Sequence, residues 1–221
     1  MKYIIANWKA KITTSQEVHD WFVDFESFFK FLNQIDVSII IAPSYIYLSL
    51  CREIINKNNL KNIYLASQSV SSEKMGAHTG EVTIEMIKEY CDYCLLGHSE
   101  RRDLGETNLE IEQKLILCNE FGVKSILCIK EKIEFSNLAD IISYEPKNAI
   151  GTGQMAPTHD ISNLYSTLPI PTGVPFLYGG SVNISNLKFF QQVDFVDGFL
   201  VGGQSIDGKV FAEIVNEFVK K

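Results

Sequence analysis

Eight short apolar runs, each followed by a stretch with helical spacing, narrow the possible folds of this chain more than any other feature. The runs lie at residues 3–7, 37–42, 63–68, 93–97, 125–129, 141–145, 175–178 and 198–202. They are rich in Ile, Val, Leu, Phe and Tyr and mostly lack strict alternation, as strands buried on both faces of a parallel sheet do. Between them, Thr14 or Ser15 can cap a helix carrying Val18, Phe22, Phe25 and Phe29. Ser44 can start another with Leu48, Cys51 and Ile55, and Thr107 precedes Ile111, Leu115 and Cys118. Asp207 precedes the last, with Val210, Ile214 and Phe218, and all four stretches show one-face spacing behind a capping residue. Strands alternating with helices imply right-handed βαβ units. A closed (β/α)8 barrel is the natural arrangement, and a doubly wound open sheet is the alternative that periodicity alone does not separate. Two crossovers look short: the connection after the fifth strand spans only residues 131–140, and the sixth helix is expected around 161–168. The length, 221 residues, suits one domain over 1–221.

The chain carries a net charge of −7 with a pI near 5.2, which disfavours a polyanionic partner, so nucleic acid is not expected. A small anion needs only local positive potential. No apolar run approaches the roughly 18 residues of a membrane span, so no membrane partner is expected. The opening MKYIIANWKA has no adequate apolar core or cleavage site for export, which leads us to expect a cytoplasmic location. Five cysteines read as reduced, mostly buried thiols. Cys91 and Cys94 form a C-x-x-C, but no second such pair supplies further metal ligands, and no metal is expected.

In an α/β barrel, chemistry collects at the C-terminal ends of the strands. Asn7-Trp8-Lys9 follows the first run, Gly97-His98-Ser99-Glu100-Arg101-Arg102 the fourth, and Glu145-Pro146 the sixth, with Gly151 and Gly153 close behind. Gly179-Gly180-Ser181 follows the seventh run and Gly202-Gly203 the eighth. Glu145 sits between apolar residues and a proline, where desolvation suits a carboxylate to act as a general base. His98 precedes a helix start, whose N–H groups disfavour an imidazolium, so it can serve as a neutral proton donor. Lys9 is a cation at the end of an apolar strand, directed at a ligand or at a carboxylate such as Glu100. The glycines with Ser181 offer several backbone N–H groups suited to a phosphate dianion. No G-x-x-x-x-G-K-[ST] is present, so no nucleotide site and no cofactor are expected. A base, a neutral electrophile, a cation and a phosphate cradle together imply proton abstraction beside a carbonyl on a small phosphorylated substrate. An aldolase would need a Schiff-base lysine within a strand, and none presents itself. A non-catalytic binding protein on the same fold is the reading from another class, against which the retention of Glu145, His98 and Lys9 speaks.

The segments ANWK (6–9), GAHTGE (76–81), LLGHSERR (95–102), YEP (144–146), AIGTG (149–153), YGGSV (178–182) and DGFLVGGQS (197–205) occur in an order that resembles the triosephosphate isomerase family over nearly the whole chain. The resemblance implies a TIM barrel and interconversion of dihydroxyacetone phosphate and D-glyceraldehyde 3-phosphate, a step of glycolysis and gluconeogenesis, through an enediolate without cofactor or metal. It implies Glu145 as the base, His98 as the group polarising the carbonyl, and Lys9 and Asn7 as the stabilisers of the oxyanion. Gly151, Ser181, Gly202 and Gly203 would hold the phosphate. Glu100 would orient Lys9 from behind, residues 146–156, from Pro146 to Ala156, would form a lid, and Tyr178 would help hold it closed. It also implies a homodimer whose loop at 68–81 reaches the partner, with Gln68 at its base and Thr79 at the neighbouring site. The sequence departs from the family pattern at Lys147-Asn148, where Val-Trp is usual, at Gln154-Met155-Ala156, at Gln204, at His78 and at Lys130. With the shortened connection after the fifth strand, a helix there of one or two turns is expected, if one forms.

Overall fold

The computed structural model describes residues 2–26, 36–131, 137–146, 149, 156–190 and 193–220. Its strands are β1 (Lys2–Asn7), β2 (Val37–Ala42), β3 (Ile63–Ser67), β4 (Tyr93–Leu96), β5 (Lys124–Ile129), β6 (Ile141–Tyr144), β7 (Phe176–Tyr178) and β8 (Gly198–Val201). All neighbours pair in parallel and in chain order, and β8 returns to β1 to close the barrel. That closure decides between the two arrangements left open by periodicity. The helices are α1 (Ser15–Phe25), α2 (Leu48–Lys57), α3 (Ile84–Ile87), α4 (Ser99–Asp103), α5 (Asn108–Phe121), α6 (Thr158–Thr167), α7 (Ile184–Phe190) and α8 (Gly208–Val219).

Because side chains alternate across a strand, each strand feeds two layers. Tyr3 and Ile5, Ile40 and Ala42, Tyr93 and Leu95, Ile126 and Cys128, Ile141, Leu177 and Leu200 cluster with one another inside the barrel. Their alternates, such as Ile4, Ile39, Ile41, Leu96, Leu127 and Phe199, pack outward against the helices. Following the inward rows past the strand ends, by one step from Ile5, Leu95, Leu177 and Leu200 and through Ser143 from Ile141, reaches Asn7, Gly97, Gly179, Gly202 and Glu145, so the strand period itself aims these positions at the mouth of the barrel.

The caps act where the sequence places them. Thr14 and Glu17 form a reciprocal capping box at α1, and Thr107 and Glu110 form one at α5. Asp207 Oδ1 accepts from the N–H groups of Lys209 and Val210 at 2.9 and 3.0 Å. Ser44 differs: a 3-10 turn, Tyr45–Tyr47, precedes α2, and the Ser44 hydroxyl caps neither element but donates to the Lys9 carbonyl at 3.2 Å. The sixth crossover carries a ten-residue helix, α6, which begins three residues before the expected stretch. The helix expected after β5 falls largely on residues 132–136, outside the described residues, as does Phe29 of the first stripe. Trp21 joins that stripe. Its ring lies 5.0 Å from Trp8, 5.1 Å from Phe25 and 5.9 Å from Phe211, and its indole N–H donates to the Ser205 carbonyl at 2.8 Å.

Closure depends on one glycine. A Cβ on Gly198 would lie 1.8 Å from the carbonyl oxygen of Tyr3, its partner on β1, and backbone in a barrel has little room to retreat. We expect Gly198→Ala to lower the urea midpoint by the equivalent of about 3 kcal/mol or more, at the upper end of overpacking costs. An unchanged midpoint would show that the β8–β1 seam tolerates a side chain.

Candidate active site

At the end of β1 the chain turns sharply. Lys9 adopts a φ of 53°, a left-handed conformation that costs an L-residue about 1–2 kcal/mol. Its neighbours hold it there. The Lys9 N–H donates to Asn7 Oδ1 at 3.1 Å, and the Lys9 carbonyl accepts from Gln68 Nε2 at 2.8 Å and from Ser44. The same Gln68 nitrogen donates to the Ala42 carbonyl at 2.9 Å, so one amide ties the ends of β1, β2 and β3. Lys9 Nζ then meets Glu100 Oε1 at 2.6 Å, from the far side of the mouth.

At the end of β4, His98 caps α4 with its own ring. Nδ1 accepts the Glu100 N–H at 3.2 Å, which leaves the ring proton on Nε2. That Nε2 lies 3.0 Å from Glu145 Oε1. Glu145 stands just past β6 and is 3% exposed. Its second oxygen, Oε2, accepts the Ser99 N–H at 3.0 Å. The buried carboxylate is thus satisfied by two donors from one short segment, as a buried charge requires. The thiol of Cys128, inward-facing on β5, is in contact with it; burial and the Glu145 charge push that thiol well up. On the β7 side, Gly179 leaves room: a Cβ there would lie 3.1 Å from Glu145 Cγ.

Ser181 closes the third side. It is also left-handed, with a φ of 46°. Its carbonyl accepts from Asn186 Nδ2 at 2.9 Å and Asn183 Nδ2 at 3.3 Å, and its hydroxyl donates to the Ala149 carbonyl. Nearby, the Tyr178 hydroxyl accepts the Ala156 N–H at 2.9 Å, and burial raises the phenol to about 12. After β8, Gly202 leads into a 3-10 turn, Gly203–Ser205, whose Ser205 hydroxyl bonds to the Gly202 carbonyl at 2.7 Å and reaches the Asn7 carbonyl at 3.3 Å.

Asn7, Lys9, His98, Glu100, Glu145, Ser181, Gly202 and Gly203 therefore border one cavity of about 360 Å³, with Leu200 and Val182 in its wall. That is a size suited to a small molecule. Gly151 lies outside the described residues, as do Lys147, Asn148 and 150–155 of the expected lid. Thr79 is exposed on the loop at 73–81 and does not border this cavity. Gln68 borders an adjoining hollow of about 610 Å³. No cluster of His, Cys, Asp or Glu among the described residues has the arrangement of a metal site. Sequence reasoning missed the Ser99 N–H as the anchor of Glu145, and Cys128 as its neighbour. The first sat inside the GHSERR motif; the second was legible as the inward phase of β5.

The family model for triosephosphate isomerase matches residues 2–218. The chain belongs to the triosephosphate isomerase family. It is 36% identical to a triosephosphate isomerase of Chlamydia felis, with 98% of this chain and 97% of the relative covered. It is 34% identical to one of Aquifex aeolicus, covering 98% and 99%, and 32% identical to one of Mesomycoplasma hyopneumoniae, covering 97% and 98%. Like them it is an isomerase, and the TIM barrel of the family is the barrel seen here.

All five cysteines of this triosephosphate isomerase family member are free and buried. Burial raises the Cys51 thiol to about 12 and raises those of Cys91 and Cys128 as well, and a hydrogen bond with Cys94, with burial behind it, raises that of Cys118. Thiolate, not thiol, attacks disulfide reagents. A thiol titration at pH 8 should count none in the native protein and five in guanidinium. Fast labelling of the native protein would contradict the buried placement.

Proposed function

We propose that this chain interconverts dihydroxyacetone phosphate and D-glyceraldehyde 3-phosphate. The observation that carries the reading is the pairing of His98 Nε2 with Glu145 at 3.0 Å inside the cavity that also holds Lys9. Glu145 takes a proton from the carbon beside the carbonyl, and the electron pair moves onto the carbonyl oxygen. His98, with its proton on Nε2, donates toward that oxygen, and the Lys9 ammonium and Asn7 stabilise the enediolate. Glu145 then returns the proton to the neighbouring carbon, while His98 recovers a proton from the other oxygen, which becomes the new carbonyl. Both carboxylate oxygens are bonded in this structure, so the substrate must draw Glu145 off the Ser99 N–H to engage it. The reaction exchanges only protons within one molecule and calls for no cofactor.

The phosphate fits the other side of the mouth. There Gly202, Gly203 and Ser181 supply N–H groups, to which the family resemblance adds that of Gly151, and Glu100 holds Lys9 in place across the opening. We place a lid at 146–156. Its Ala156 end is fastened to Tyr178, and a closed lid would keep water from the enediolate. The whole chain, 1–221, then serves as one domain. A glycolytic role and five buried thiols fit the cytoplasm, and no helix among the described residues is long and apolar enough to cross a membrane.

A homodimer completes the reading. The loop at 73–81 is exposed throughout, and Met75 on it is 77% exposed. Tyr45 and Leu104, 37% and 80% exposed, border the 610 Å³ hollow. A projecting loop and a hollow rimmed by apolar side chains on the same chain suit a two-fold pairing in which each loop enters the partner's hollow.

A coupled assay on the purified protein should show isomerisation of glyceraldehyde 3-phosphate that EDTA leaves unchanged. Glu145→Gln should lower kcat by about a thousandfold, within the span of general acid–base effects, while circular dichroism stays native. Near-normal turnover would remove Glu145 as the base. Thr79→Glu should shift sedimentation from dimer toward monomer by burying an unpaired charge. A sedimentation profile equal to that of the wild type would reject the interface.

A further inference from the structure

Arg102 lies just past His98 on α4 and does not border the cavity. Its guanidinium is spread over three acceptors. Nε donates to the Gly97 carbonyl at 2.7 Å, Nη1 to Asn108 Oδ1 at 2.7 Å, and Nη2 reaches the Cys128 carbonyl at 3.5 Å. Two of these acceptors are backbone groups at the neighbouring ends of β4 and β5, Gly97 just past β4 and Cys128 on β5, where the β4–β5 ladder has stopped at Leu96 and Leu127. The side chain continues the seam that the ladder no longer makes. Gly97 is fitted to it. Its φ is +66°, and a Cβ there would stand 2.7 Å from Arg102 Nη2. The Gly97 carbonyl belongs to the peptide plane that carries the N–H of His98, so the bond from Nε fixes the plane from which the imidazole projects.

We propose that Arg102 is a positioning residue for His98, holding the Gly97–His98 peptide against the end of β5 so that the ring bonds Glu100 N–H through Nδ1 and Glu145 through Nε2. The inference rests on the isomerase reading for its kinetic consequence only. A lysine would keep the charge but not the planar fork that reaches two carbonyls at once, so the two substitutions separate charge from geometry.

The test uses Arg102→Ala and Arg102→Lys in the full chain. Both should lose about a hundredfold in kcat, the scale of a misplacement of about 1 Å, with KM within about threefold of wild type, because an electrophile acts chiefly in the transition state. Guanidinium ion should restore kcat saturably in Arg102→Ala and not in Arg102→Lys. Nitrogen-15 spectra of the unliganded protein, with the His98 signals identified among the four histidines by their loss in His98→Gln, should show one fixed tautomer in the wild type and a mixture in both variants. Turnover within twofold of wild type in either variant would overturn the proposal. So would lost turnover with unshifted imidazole signals and no rescue, which is the mark of a merely structural arginine. If Arg102→Ala does not fold, the kinetics and spectrum of Arg102→Lys decide. The imidazole signals need no substrate: a wild type inert toward triose phosphates would sink the isomerase reading and leave the positioning of His98 to be judged on the spectra.

Discussion

The return of β8 to β1 is the contact on which the rest of the molecule depends. It joins residues nearly two hundred positions apart, Tyr3 with Gly198 and Ala6 with Val201, and turns a row of strands into a ring. Only in a ring do the ends of β1, β4, β6, β7 and β8 face one another across a small space. Lys9 and Glu100, His98 and Glu145, and Ser205 and Asn7 are all pairs from different strand ends. The closure has a narrow physical requirement, since the backbones at Gly198 and Tyr3 approach too closely for any side chain.

At the mouth of the barrel the bonding changes character. Within the strands the ladder satisfies each backbone group; beyond them side chains take over. Gln68 and Ser44 occupy the carbonyl of Lys9, Asn186 and Asn183 that of Ser181, and Arg102 that of Gly97. Two of the three carbonyls belong to non-glycine residues with left-handed backbone. Such conformations persist when several bonds over-determine them, and they gather where function needs a side chain or an N–H group aimed in one direction. The apolar rows beneath, ending in Leu95, Leu177 and Leu200, form a packed floor under these half-buried bonds.

Much of this was readable from residues. The eight apolar runs located the eight strands to within about a residue at their ends, since a buried strand has few ways to be polar. Thr14, Thr107 and Asp207 marked helix starts because a side-chain oxygen beside free N–H groups is a local matter. Glu145, His98 and Lys9 stood out as polar residues at the ends of apolar runs. Ser44 was misjudged as a cap because the acceptor it serves, the Lys9 carbonyl, is thirty-five residues away. Gln68 could be placed at the base of a loop, but its two acceptors on other strands left no trace in its own neighbourhood. Trp21 escaped the first helical stripe because its role joins α1, α8 and the turn after β8.

The sequence by itself determined the elements, their order and the chemical inventory: a carboxylate, an imidazole, an ammonium and a set of small residues after successive strands. Those follow from periodicity and composition within a few residues of each site. Only the tertiary structure decided between a closed barrel and an open sheet, because closure is a backbone contact between the two ends of the chain. It also decided where Glu145 rests. The Glu100 N–H that takes His98 Nδ1 is a local partner, but the Ser99 N–H and His98 Nε2 meet Glu145 only after β4 and β6 have been brought to the same rim.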